Sequence, residues 1–153
     1  MQVSELLELE RISCNTHAAS KKRVLEQLSE LLAGSQTELT QTQVFDSLLS
    51  RERLGSTGLG HGVAIPHGRV KDSDKTLIAL IKLDQGIDYD AVDNQPVDLL
   101  FALLVPEHST DEHLQLLSQL AEMLSDRDLV KQLRAATNSH SLLNTINGWQ
   151  QSH

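Results

Sequence analysis

The chain has 153 residues with 13 basic and 21 acidic side chains, a formal charge of −8; the length suits one domain, spanning 1–153, that buries roughly 70% of its unfolded surface. That charge repels nucleic-acid backbones and anionic lipid, so neither is an expected partner. Aromatics are 3% of residues and Cys14 is the single cysteine, so aliphatic side chains must fill the core, an intramolecular disulfide is excluded, and a reducing compartment fits.

The opening stretch, MQVSELLELERIS, carries Glu5, Glu8 and Glu10 where a signal peptide needs basic and then apolar residues. The longest apolar run, residues 99–105, falls far short of the roughly 20 needed to cross a bilayer. A cytoplasmic protein without direct membrane insertion is expected. SKKRVLEQLSELLAG reads as a helix: Ser20 can cap it, Val24, Leu25, Leu28, Leu31 and Leu32 form an apolar stripe, and Gly34 ends it. Lys21, Lys22 and Arg23 occupy its first turn, at the positive end of the dipole, where an exposed cation costs ~0.3–1 kcal/mol. Solvated charge and a docking patch both remain open for them. Thr40 with Gln43 predicts a capping box, and Val44, Phe45, Leu48 and Leu49 continue a second helix to about Arg51.

GSTGLGHG follows, with four glycines, and reads as a loop. VAIPH and TLIALIKL read as strands. PVDLLFALLV reads as another, apolar on both faces and so covered on both. Ser109 with Glu112 predicts a capping box opening a helix whose Leu117, Leu120, Ala121 and Leu124 face inward. Two shorter helices are expected at 126–136 and 139–147, the last closing at Gly148 beside Trp149. The order implies an α/β fold: one domain, with a mixed sheet of about five strands covered by helices on both faces.

Within GHGVAIPHGR, His67 sits between Pro66 and Gly68. Gly58, Gly60 and Gly62 follow a predicted helix, whereas a dinucleotide fingerprint needs G-x-G-x-x-G after a strand; there is no Walker lysine, and GSTG is not the elbow of a Ser-His-Asp hydrolase. His61 with His67, and His108 with His113, lack the spacing of a zinc site, so no metal or other cofactor is expected. Pro66 biases Ile65 toward extended backbone, while Gly68 removes a side chain that would crowd the ring. An imidazole so held, with an unperturbed pKa near ~6.5, is mostly neutral and can attack an electrophilic phosphorus. An ordinary hydrogen-bonded histidine at a strand end is the plainer reading.

LLSRERLGSTGLGHGVAIPHGR together with DNQPVDLLFALLVPEHSTDEHLQLLSQLAEML resembles enzyme IIA of the fructose/mannitol class in the bacterial phosphoenolpyruvate phosphotransferase system, and within it the nitrogen-regulatory subtype. The resemblance covers nearly the whole chain. It implies that His67 accepts a phosphoryl group from a histidine phosphocarrier of the HPr or NPr type. It further implies that His113, opening an HL pair, is the second active-site histidine, that Arg51 is the active-site arginine, and that the hydroxyls of Ser56 and Thr57 help hold phosphate. His61 departs from the pattern, where asparagine is common. For the nitrogen subtype the implied role is regulation of targets such as potassium transport regulators or sensor kinases according to phosphorylation state. The alternative is a IIA subunit of a sugar-transport system that passes phosphate to a IIB domain. A phosphocarrier partner would favour an apolar surface around the pocket with acid at its rim.

Overall fold

The two longest apolar stretches of the chain are buried almost throughout, their successive side chains entering two different cores, and that alternation of face sets the layers. The elements run α1 (Val3–Leu6), β1 (Leu7–Thr16), α2 (Lys21–Leu32), α3 (Gln41–Glu52), β2 (Gly58–Gly60), β3 (Val63–Ala64), β4 (His67–Val70), β5 (Leu77–Ile87), β6 (Val97–Pro106), α4 (Thr110–Ser125), α5 (Arg127–Ala135) and α6 (Ser139–Ser152). This computed structural model describes residues 2–34, 38–71 and 73–153. Ile78, Leu80, Leu99, Phe101 and Leu103 enter one core with the side chains of α4, α5 and α6; Ala79, Ile81, Leu100, Ala102 and Leu104 enter the other with those of α2 and α3. Successive strand side chains point to opposite faces, so two apolar faces require two helical layers. The expected α/β fold with a mixed sheet is therefore what the chain builds.

The sheet has six strands rather than about five, in the order β1-β5-β6-β3-β2, with β4 also on β6. Pairs β1/β5, β3/β6 and β4/β6 are parallel, while β2/β3 and β5/β6 are antiparallel. Two of these strands lie where no strand is expected. β1 has a polar outer face because it is an edge strand with register shifts, and such edges tolerate charge. Its Arg11 is buried, donating from Nε to Ile78 O (3.1 Å) and from Nη2 to Leu6 O (2.9 Å). β2 is three residues of the glycine loop itself, drawn into the sheet by pairing with β3.

Helix ends differ from the local signals in three places. Thr40 and Gln43 do form their capping box, and Ser20 accepts from Arg23 N at 3.1 Å, but α2 stops at Leu32 with Ala33 as its cap. Ser109 makes no side-chain cap, and Glu112 accepts from Thr76 Oγ1 of a neighbouring segment at 2.7 Å rather than turning back to the helix start. The buried stripe of α4 is His113, Leu116, Leu120, Met123 and Leu124; Ala121 is exposed and Leu117 only half-buried. Gly148 does not end the last helix, which continues to Ser152 while Trp149 Nε1 donates to Asp126 Oδ2 at 2.8 Å.

Candidate active site

VAIPH is two strands on one line. Val63 pairs with Leu99 and His67 with Leu103, so the register is unchanged across the break at Ile65 and Pro66. Within the break the Ile65 carbonyl turns to the imidazole, accepting from His67 Nδ1 at 2.8 Å. A carbonyl only accepts, so the proton sits on Nδ1 and the lone pair on Nε2. Arg51 Nε donates to that Nε2 at 3.2 Å, and its Nη1 donates to Gly55 O at 2.9 Å. Burial lowers the pKa of His67; the Ile65 hydrogen bond opposes this, and the Arg51 charge adds to it. The ring is thus held neutral with a defined nucleophilic nitrogen.

Gly68 brings Arg51 within reach. A Cβ there would collide with Ser47 Oγ and lie 3.1 Å from the Ser47 backbone carbon. The glycine therefore makes room for α3 rather than for the imidazole of its neighbour. With α3 seated on β4, Ser47 Oγ donates to Arg69 O at 2.8 Å. Arg51 follows one turn later on the same helix face.

α4 supplies His113 from the other side. Its ring centre is 5.2 Å from that of His67, with the planes at 73°. His113 is buried, its Nδ1 has no hydrogen-bond partner, and burial followed by the charges of His67, Arg69 and Arg51 lowers its pKa to about 4. A buried, unsatisfied ring nitrogen costs roughly 1–3 kcal/mol. These groups surround a cavity of about 470 Å³ whose walls include Ser50, Arg51, Leu54, His67, Arg69 and His113. The structure thus brings together three of the five candidate residues.

Ser56 and Thr57 are directed elsewhere. Ser56 Oγ donates to Tyr89 O at 3.2 Å and accepts from Gly58 N at 3.1 Å. Thr57 is buried and its Oγ1 donates to Glu52. Glu52, adjoining Arg51, is also buried; it accepts from Tyr89 OH at 2.9 Å and pairs with Lys21 Nζ at 2.8 Å, while Lys21 also lies 4.4 Å from the centre of the Tyr89 ring. Burial and the Glu52 carboxylate push the Tyr89 phenol up. The hydroxyl of Thr57 thus belongs to an internal network beneath Arg51, and Lys21, its side chain 19% exposed, pairs with the buried Glu52 carboxylate, while Lys22 and Arg23 are exposed.

Local motif reading passes over Arg69, although strand alternation places residues 67 and 69 on one side of β4. Arg69 donates from Nη1 toward Thr110 Oγ1 at 3.5 Å, at the start of the helix that carries His113. Leu54, on the cavity wall, is 83% exposed, and Leu114, next to His113, is 60% exposed. The lining of the cavity carries Arg51 and Arg69 and, among the described residues, no acidic side chain. No helix among the described residues is long and apolar enough to cross a membrane.

A family model described as phosphoenolpyruvate-dependent sugar phosphotransferase system, EIIA 2, matches residues 5–149. The nitrogen regulatory protein of Pseudomonas aeruginosa is 43% identical over 146 residues, 95% of each chain. That of Escherichia coli K12 is 45% identical over 147 residues, 95% of this chain and 90% of that one. The crystal structure of nitrogen regulatory protein IIA-Ntr from Neisseria meningitidis shares the fold with a TM-score of 0.89 at 38% identity, covering 94% of this chain and 98% of that chain.

Proposed function

The chain belongs to the EIIA 2 family of the phosphoenolpyruvate-dependent sugar phosphotransferase system, and from that premise we propose that it is a phosphohistidine carrier and regulator of the nitrogen branch, with His67 as phosphoryl acceptor. The observation that carries this reading is the fixed tautomer of His67: Nδ1 donates to Ile65 O and Nε2 presents its lone pair beside Arg51. The relatives matched over nearly the full length are nitrogen regulatory proteins, which favours regulation over a sugar-transport subunit.

The donor is a phosphohistidine on a small carrier of the HPr or NPr type. Its P–N bond breaks as the His67 Nε2 lone pair forms a new P–N bond in line with it, and the carrier's imidazole leaves with the bonding pair. The proton stays on His67 Nδ1 throughout, donated in a hydrogen bond to the Ile65 carbonyl, so the phosphorylated ring carries a positive charge that the phosphoryl oxygens offset. Such a transfer needs positioning and charge stabilisation more than covalent help. The incoming group brings about −1.5 to −2 charges. Arg51 and Arg69 face it with permanent cations, and His113 bounds it from the side of α4. Ser56 and Thr57 act at one remove, by bracing the segment behind Arg51. Leu54 and Leu114 offer the apolar contact area for the carrier.

Regulation then follows from the charge. A phosphoryl dianion beside exposed leucines changes the affinity for any target that covers them, and ~1.4 kcal/mol is tenfold in binding. Targets of the kind expected are potassium transport regulators and sensor kinases in the cytoplasm. The test is incubation with phosphoenolpyruvate, enzyme I and the carrier, followed by intact mass measurement. An acid-labile phosphoryl adduct should form on the parent and be absent from His67→Ala; equal labelling of the variant would refute the assignment. Pull-downs with parent and His67→Ala separate the two roles, since capture of a sugar permease component in place of regulators would favour transport.

A further inference from the structure

The glycine string 58–62 contributes little to the pocket at His67, yet it builds the wall of a second cavity. That cavity, of about 1020 Å³, lies where the turn between β2 and β3 meets α5. Along β6, the Val63 pairing at Leu99 is four residues from the His67 pairing at Leu103, or about 13 Å at the rise of a strand. The two sites are separate.

Three cations of α5, Arg127, Lys131 and Arg134, recur at helical spacing and line one side of this cavity. Arg134 is committed: it pairs with Asp98 (3.0 Å from Nη2) and donates to His61 O. Gly62 permits this, since a Cβ there would collide with Arg134 Nη2. Asp93 is committed as well, accepting from the backbone of His61 at 2.9 Å and of Gln95 at 3.1 Å. Arg127 is held over the cavity by one hydrogen bond to His61 Nε2 at 3.0 Å, a side chain carried on left-handed backbone at φ 56°. Lys131 has no hydrogen bond or ion pair among the described residues. Two cations therefore line the cavity without an ion pair among the described residues, Asp93 being the carboxylate that shares it with them besides the paired Asp98, in a chain whose overall charge is −8. Beneath them Leu124, Val130 and Pro96 give an apolar floor.

We propose that this cavity binds a small organic phosphate monoester, its dianion taken by Arg127 and Lys131 and its carbon body laid on Leu124, Val130 and Pro96. Two separate cations suit a dianion better than a single carboxylate, and a guanidinium fork matches phosphate oxygens. His61 acts here as a positioning residue for Arg127. The cavity is large enough for a metabolite-sized ligand.

The test uses phenyl phosphate as the probe, titrated into the isotope-labelled full chain while backbone amides are followed by NMR. Saturable shifts at residues 60–63 and along α5 are expected, with affinity about tenfold or more weaker in the Arg127→Gln, Lys131→Gln double variant, the scale of losing a charge-assisted contact. Both side chains are exposed, so the variant should keep the parent's thermal midpoint. Phenol should leave these amides unmoved. Shifts confined to His67, Arg51 and Arg69 would mean that the probe occupies the phosphoryl pocket alone, overturning this site while leaving the proposed function standing. Unchanged affinity in the double variant would also overturn it, as would inorganic phosphate binding as tightly as the probe.

Discussion

Replacing Gly68 by alanine perturbs the site without touching any group that meets phosphate. The added methyl would overlap Ser47 Oγ and sit 3.1 Å from both the backbone carbon and the Cβ of Ser47. Rotating the hydroxyl away removes one clash, but forfeits its hydrogen bond to Arg69 O and leaves the two carbon contacts in place. α3 must then retreat from β4 by several tenths of an ångström, carrying Arg51 with it. Overpacking of this kind costs about 1–3 kcal/mol. Misplacing a charge-stabilising group by about 1 Å costs on the order of a hundredfold in rate, so the smaller shift here should slow transfer by roughly tenfold. Urea unfolding gives the stability, and rapid-quench measurement of transfer from the phosphorylated carrier gives the rate. Ser47→Ala in the same chain removes the hydroxyl clash and should restore part of both. A Gly68→Ala protein that unfolds and accepts phosphoryl groups like the parent would show that this contact does not set the position of Arg51.

Arg51→Lys keeps the charge but cannot hold both His67 Nε2 and Gly55 O, so single-turnover transfer should fall by about tenfold to a hundredfold, the equivalent of one hydrogen bond to a charged group; a rate within twofold of the parent would reduce the requirement to charge alone. Lys21→Met strands the buried Glu52 carboxylate and should cost about 3 kcal/mol or more in unfolding free energy, with Glu52→Gln in the same chain recovering much of it; additive losses would mean the pair is not coupled. His113 has a folded pKa of about 4, below the ordinary 6.5, so the unfolded chain binds the proton more readily. Its contribution to stability is complete above about pH 6.5 and is lost as pH falls toward 4. Chemical denaturation of the parent and His113→Asn across that window should show the difference between them shrinking with acid; a constant difference would contradict the burial of a neutral ring. Phosphorylation of His67 sets a dianion beside His113 that offsets the repulsion from Arg69 and Arg51 and should raise the His113 pKa, visible as a titration midpoint moved to higher pH when its ring protons are followed by NMR.

Local chemistry was enough to identify the strands that cross the core, because β5 and β6 carry their burial in unbroken apolar runs, and enough to single out His67, because proline restricts the backbone on one side of it and glycine leaves the other side without a side chain. It was enough for the caps at Ser20 and Thr40, whose partners lie three residues away. It could not reveal β1, whose polar face is set by its place at the sheet edge, nor β2, which exists only because β3 lies beside it. Nor could it reveal what Gly68 is for, since its partner Ser47 lies on a helix that precedes the whole glycine loop. Thr57 and Lys21 have the composition of a phosphate-binding hydroxyl and a solvated cation; the third dimension turns both onto Glu52. The same holds for Arg69 and for the cations of α5. What a residue can do is written in its side chain and its neighbours in sequence, but whether it does so depends on which charge or lone pair the fold places opposite it, and those partners come from segments that local sequence cannot see.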